Sequence, residues 1–334
     1  MRGVYIVAND KVQENAIALL SSLRLRDPEV PVYLIPFNND YHQVANRLAK
    51  LYQVQCFPDL AFLDSLTQKI GEIFPRDFLA LPNKMRKLAA WFGPLDEFLY
   101  IDTDILFFTP VSETLSYLDR AEFIWCDYHF KGGLEDVFSE VVPAQSIFSP
   151  EALGDVFNSG LWGSKKSALS LDRLYELLSE CAAHREYFDF SNGTTDQPIM
   201  NYLVLKAIPR RLNIVKAKAD EPGSWGGSPH FERRGDALFD GDRPLRYLHW
   251  AGTPMRPGGP YRDLWEHYRY RNDPEAKAIH SAQQSKPNQP FGSLIRLKAQ
   301  LKRLLKALQQ SLKQPQSKLA LILALAAILA QYFK

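Results

Sequence analysis

A chain of 334 residues that is 46% apolar and 23% charged can bury a full core, which excludes a disordered polyelectrolyte and a small disulfide-held scaffold. Its net charge of +2 conceals an asymmetry: ten of the 40 Lys and Arg, and none of the 38 Asp and Glu, follow Glu275, leaving about −8 on residues 1–275 and about +10 on the tail. Such a division points to two parts with different partners.

Gly3 to Ala8 reads as a buried strand that stops at Asn9-Asp10. No charged and then apolar leader with a cleavage site is legible ahead of it, so a secretion signal is not expected. Cys56, Cys126 and Cys181 form no C-x-x-C pair. The expectation is a reducing, cytoplasmic setting with neither a disulfide framework nor a zinc site. Ala16, Leu19, Leu20 and Leu23 recur at helical spacing before Asp27-Pro28, Val32 to Ile35 forms a second strand, and Tyr41 to Leu51 a second helix. This alternation predicts an α/β domain with a parallel sheet and crossover helices, whose ligands sit beyond the carboxyl ends of the strands. Asn9 and Asp10 lie at such an end.

Lys84 to Phe92 reads as a helix, and Phe98 to Ile101 as a strand entering Asp102-Thr103-Asp104, which Ile105 to Phe108 follow at once. Phe123 to Cys126 is another strand, ending at Asp127 on the same edge of the sheet. Residues 128–157 are irregular and long for a simple connection, the size of a lid or binding loop. Helical patterns return at 167–183 and 195–207, and short strands are expected at 211–215 and 245–248.

The stretch 276–292 is polar, contains Pro287 and Pro290, and reads as a linker. In the segment 293–334, Leu294, Leu297, Leu301, Leu304, Leu308 and Leu312 repeat every three or four residues with Lys and Arg between them, a basic amphipathic helix. Pro315 ends it, and Leu319 to Phe333 carries no charge. Fifteen residues at 1.5 Å each make about 22 Å, short of a roughly 30 Å hydrocarbon core. The expectation is therefore peripheral attachment to an anionic membrane on its cytoplasmic face, with packing against protein as the alternative. Nucleic acid is not expected, because the leucine stripe lacks interleaved aromatics. Nothing in the pattern specifies an oligomeric state.

The chemistry centres on Asp102 and Asp104. An unpaired carboxylate is costly to bury, so two of them between apolar strands suggest a cleft floor where a divalent cation, Mn²⁺ or Mg²⁺, neutralises them and holds a phosphate. On a regular strand the i, i+2 spacing would turn both the same way, about 7 Å apart. Taken alone, the triplet also fits a solvated turn with two capping aspartates.

Four more pieces stand in order along the chain: Lys87-Leu88-Ala89-Ala90-Trp91, Phe157-Asn158-Ser159-Gly160, Thr195-Asp196-Gln197 continuing to Asn201, and His249-Trp250-Ala251-Gly252. With the aspartates, and over residues 3 to about 265, they resemble the glycogenin and lipopolysaccharide galactosyltransferase type of retaining glycosyltransferase, the family 8-like branch of the GT-A fold. The resemblance implies a mixed, Rossmann-like sheet flanked by helices over residues 1–275, and a nucleotide-diphosphate sugar such as a UDP-sugar as donor. It implies that Asp102, Asp104 and His249 bind Mn²⁺ or Mg²⁺, that Ala8, Asn9 and Asp10 border the base and ribose, and that Lys87, Thr103 and Gly252 belong to the donor site. Asn158, Asp196 and Gln197 would surround the transferred sugar with Asp127 near it, which makes Asp196, Gln197 and Asp127 the candidates for catalysis. The acceptor would be a carbohydrate, glycolipid or other hydroxyl. The chain departs from the family after Gly252, where Thr253-Pro254-Met255-Arg256-Pro257 replaces the expected lysine and Pro-Trp. Arg256 would take the lysine's place on the diphosphate, clamping it with two donors. Two other readings compete: a haloacid dehalogenase-type phosphatase, whose D-x-D wants Thr or Val where Leu106 stands, and a non-catalytic module that binds nucleotide sugar or tethers a partner.

Overall fold

The computed structural model describes residues 1–190 and 196–284. In chain order, β1 (Arg2–Ala8), α1 (Gln13–Arg26), β2 (Val32–Pro36), α2 (His42–Tyr52), β3 (Gln55–Cys56) and α3 (Leu60–Ile73) lead to a 3₁₀ stretch, Pro82–Phe92. Then come β4 (Glu97–Ile101), β5 (Ile105–Phe107), α4 (Val111–Leu115), β6 (Phe123–Trp125), α5 (Val141–Ala144), α6 (Pro150–Leu153) and β7 (Leu161–Lys165). The remainder holds α7 (Leu171–Ala183), α8 (Asp196–Ala207), β8 (Arg211–Asn213), α9 (Ile214–Ala217), β9 (Glu232–Arg234), β10 (Ala237–Asp240), β11 (Arg243–Pro244), β12 (Tyr247–His249), α10 (Arg262–Tyr270) and α11 (Pro274–Gln284).

The main sheet has the strand order β3-β2-β1-β4-β7-β6-β8. Both of its faces are covered, and for that reason β1 and β4 are continuous apolar runs rather than alternating ones. Val4, Ile6, Leu99 and Ile101 point into one core, and Tyr5, Phe98 and Tyr100 into the other. Each fully buried side chain of this size contributes roughly 1.5–3 kcal/mol. Trp91 and Trp162 stack with ring centroids 4.6 Å apart in the second core, fixing the 3₁₀ stretch against β7.

β7 runs antiparallel to both β4 and β6, while the other neighbours pair in parallel. The mixed sheet that the resemblance implies is thus borne out, with β7 the reversed strand among neighbours that the local strand and helix alternation reads as parallel. The reversal matters for position. Because Leu161 pairs with Ile101, the chain enters β7 at the edge where it leaves β4, and Phe157 to Gly160 come to lie beside Asp102.

Other differences have local causes. Lys84 to Phe92 winds as 3₁₀ turns rather than an α-helix; Met85 through Trp91 are all buried, so the segment has no solvent face for a one-sided helix to present. α3 was not anticipated, although Leu63, Leu66 and Ile70 form its buried stripe. α7 starts at Leu171 rather than 167 because the Ser170 side chain accepts the Arg173 N–H and caps it. α11 occupies Pro274–Gln284, overlapping the start of the stretch 276–292 read as a linker. Thr195, residues 285–292, the basic helix and the charge-free stretch 319–333 lie outside the described residues. Among the described residues, no helix is long and apolar enough to cross a membrane.

Candidate active site

Asp102-Thr103-Asp104 is the turn between β4 and β5. The triplet is not part of a continuous strand, so the same-face pleat expected of one does not set the placement of the two carboxylates. β12 pairs antiparallel with β5, with His249 opposite Ile105, which delivers the imidazole to the turn from a point far along the chain. His249 Nε2 lies 3.3 Å from Asp104 Oδ1. Backbone bonds lock the approach: Trp250 N–H donates to the Asp104 carbonyl at 3.1 Å, and Asp102 N–H to the Gly160 carbonyl at 2.7 Å.

One ligand atom from each of Asp102, Asp104 and His249 lies within 4.8 Å of the others. Gly160 makes room for this. A Cβ there would stand 2.3 Å from His249 Cε1 and 3.0 Å from Asp102 Oδ2. Two carboxylates and an imidazole, crowded against a glycine on a cavity wall, form a donor set that fits Mn²⁺ or Mg²⁺ with positions left for substrate oxygens.

Electrostatics divides the site in two. Lys87 is 5% exposed, and its Nζ lies 2.6 Å from Asp196 Oδ2, 3.7 Å from Asp102 Oδ1 and 3.1 Å from the Ser159 carbonyl that accepts from it. Burial opposes its charge, yet Asp102 and Asp196 hold the ammonium pKa above its ordinary value. For Asp196, burial is outweighed by Lys87, and the carboxyl is held below its usual range. Asp102 goes the other way: burial, with Asp104 and Asp196 as like charges, raises it despite Lys87. At Asp104 burial is overcome by the hydrogen bond and charge of His249, which lower the carboxyl and in turn raise the imidazole above its ordinary value.

These groups line a cavity of about 960 Å³. Asp127, 9% exposed, accepts His129 N–H at 2.8 Å through Oδ1 and Asn158 N–H at 3.0 Å through Oδ2, so it fixes the loop before β7. Burial raises its carboxyl pKa against those two backbone bonds. Asn158 accepts Gly160 N–H at 2.9 Å. Asp196 Oδ2 accepts the Ser159 hydroxyl at 2.8 Å, and Gln197 Oε1 accepts Ser159 N–H at 3.3 Å. The first turn of α8 thereby clasps the loop that carries Asn158.

The structure brings Asp102, Asp104, Asp127, Asn158, Asp196, Gln197, His249 and Gly252 to one cavity wall, with Lys87 beneath it. It does not bring all the others there. Ala8 is buried, and Asn9 caps the following turn by accepting Lys11 N–H at 3.2 Å. Asp10 accepts Val44 N–H at 2.8 Å in the first turn of α2. These three sit at the carboxyl end of β1 and do not line the cavity, nor does Thr103. Arg256 is exposed on the loop after Gly252, also outside it. Conversely, sequence reasoning passed over His129, whose Nε2 lies 3.3 Å from Gln197 Nε2, and Trp225 at the rim. Trp225-Gly226-Gly227 was the legible signal for the second.

No protein family and no curated protein matches the chain. Solved structures do. The galactosyltransferase LgtC, solved in complex with donor and acceptor sugar analogs, superposes with a TM-score of 0.51 at 13% identity, covering 80% of this chain and 95% of that one. The chain has the GT-A fold. The apo bifunctional glycosyltransferase WbbM carries the same GT-A fold at a TM-score of 0.52 and 15% identity, covering 85% of this chain but 52% of its own. This chain spans about half the length of that protein. An active-site mutant of LgtC gives 0.51 at 15% identity over 80% and 94% of the two chains.

Proposed function

We propose that this chain is a hexosyltransferase-type glycosyltransferase that holds a nucleotide-diphosphate sugar, a UDP-sugar among the candidates, with Mn²⁺ or Mg²⁺ and moves the sugar to an acceptor hydroxyl with retention. The observation that carries this reading is the meeting of Asp102, Asp104 and His249 with the Lys87–Asp196 pair in one cavity at the carboxyl edge of a GT-A sheet. Asp102, Asp104 and His249 would hold the cation, which when bound would supply positive charge against the diphosphate. Lys87, buried and charged, adds a fixed positive centre beneath the same wall. Asn158 and Gln197 present amides that read sugar hydroxyls as donor or acceptor. Asp196 is already engaged by Lys87 and Ser159, so its part is to orient rather than to attack. Retention then follows same-face substitution: the acceptor oxygen bonds the anomeric carbon as the carbon–phosphate oxygen bond breaks, and the hydroxyl proton leaves with the diphosphate.

Asp104→Asn tests the reading, since it removes one ligand and leaves the volume unchanged. Mn²⁺-dependent binding of UDP should weaken about 100-fold or more, a scale that even outer partners of metal ligands reach. The melting temperature should hardly move; unaltered UDP affinity would refute the site. The basic segment 293–334 completes the proposal, as the anchor of a peripheral enzyme on the cytoplasmic face of an anionic membrane. Deleting 293–334 should release the protein from phosphatidylserine vesicles, and persistent binding would remove the anchor from the account.

A further inference from the structure

Of the six tryptophans, five are at most 4% exposed, whereas Trp225 is 54% exposed at the rim of the cavity. An exposed indole ordinarily keeps its N–H for water or a ligand. Here Nε1 donates to the Ala251 carbonyl at 2.9 Å, so what the ring offers outward is its apolar surface. The ring is also held in place. A Cβ on Gly227 would come within 2.4 Å of it, Trp225 forms a parallel bridge with His249, and Gly226 N–H donates to the His249 carbonyl at 2.8 Å. An aromatic surface is thus tied through one backbone bridge to the imidazole of the candidate ion site. Little ordering is left for a ligand to impose on it.

The surroundings define the ligand's charge. Besides Asp102 and Asp104, the cavity is lined by Asp127, Glu135, Asp136, Asp189 and Asp196, and its described lining contains no Lys or Arg. Carboxylates accept hydroxyl protons, and the negative face of an indole attracts the slightly positive C–H surface of a sugar ring. A carboxylate or phosphate on the acceptor, which unlike the donor's diphosphate would have no cation to meet, would face like charge. Resting on the glycosyltransferase reading above, we infer that Trp225 is the stacking platform of the acceptor subsite and that the acceptor is an uncharged saccharide.

The test uses the full chain, wild type and the variants Trp225→Ala and Trp225→Phe, with Mn²⁺. Calorimetry with UDP follows the donor side, and an array of neutral, uronate-bearing and phosphorylated oligosaccharides follows the acceptor side. Wild type should retain neutral glycans, Trp225→Ala should lose that retention about tenfold, on the scale of a sugar- or base-sized stacking contact, and Trp225→Phe should restore most of it. UDP affinity should stay within about twofold in both variants, because the indole's hydrogen bond goes to the Ala251 carbonyl and not to an ion-binding side chain. Retention of neutral glycans by Trp225→Ala at wild-type level, a preference for uronate or phosphorylated glycans, or UDP binding with no neutral glycan retained would each overturn the inference. Absence of UDP binding alongside Trp225-dependent glycan retention would instead sink the transferase reading and leave the platform standing.

Discussion

On one side of the cavity Asp196 meets Lys87 at 2.6 Å, and the pair is complete within the protein. On the other, Asp102 and Asp104 share His249, and Lys87 reaches Asp102 only at 3.7 Å. The pKa directions follow this division, with Asp196 held low by its built-in partner and Asp102 raised by burial and like charge. One side is arranged to stand alone, and the other is arranged to receive a cation. A buried pair that loses one member leaves an uncompensated charge, whereas a crowded carboxylate that loses its charge relieves repulsion. The two halves should therefore respond differently to mutation, one mainly in stability and the other mainly in ligand affinity.

Lys87→Met attacks the self-contained half and should have the largest effect. It strands Asp196 against the Ser159 loop at a cost of about 3–5 kcal/mol, read by urea denaturation, and Mn²⁺ should restore little of it. If the variant unfolds like wild type, the pair is not what holds that wall together. Gly160→Ala attacks the receiving half. The added methyl must displace the His249 ring or the Asp102 carboxylate, and Mn²⁺-dependent UDP affinity should fall about 100-fold, or about 2.7 kcal/mol, with a smaller change in melting temperature. Equal losses of affinity and stability would mean that the clash disrupts the fold rather than the ligand set.

The smallest effect is a pH dependence. His249, with its folded pKa raised above about 6.5, stabilises the cation-free fold fully below that pH and loses the contribution as pH rises through the higher folded value. A cation needs the neutral imidazole, so its affinity should drop about tenfold for each pH unit below the folded value. Melting curves with and without Mn²⁺ should diverge as pH rises; parallel curves would place the ion elsewhere.

The halves also differ in how far the chain disclosed them. Asp102-Thr103-Asp104 was legible because two apolar runs enclose it, and strands β1, β2, β4 and β6 fall where their apolar residues predict. The turn that carries the two carboxylates was not, since a triplet between apolar runs reads equally as one strand or two. β7 was missed because Leu161-Trp162-Gly163-Ser164-Lys165 carries no strand periodicity; Gly163 is required where a Cβ would come within 2.7 Å of Leu99. The pairing of β12 with β5 is a long-range register, and local pattern holds no information about it. Asn9 and Asp10 were placed at the correct sheet edge, but their side chains cap neighbouring backbone, an economy that residue type alone does not reveal.

The most direct measurement is anomalous scattering from Mn²⁺ in crystals of the full chain grown with UDP. The account predicts one strong peak about 2.1–2.3 Å from an oxygen of Asp102, an oxygen of Asp104 and a nitrogen of His249, with diphosphate oxygens completing the shell. Manganese density absent from these three side chains, with UDP bound elsewhere or not at all, would contradict it.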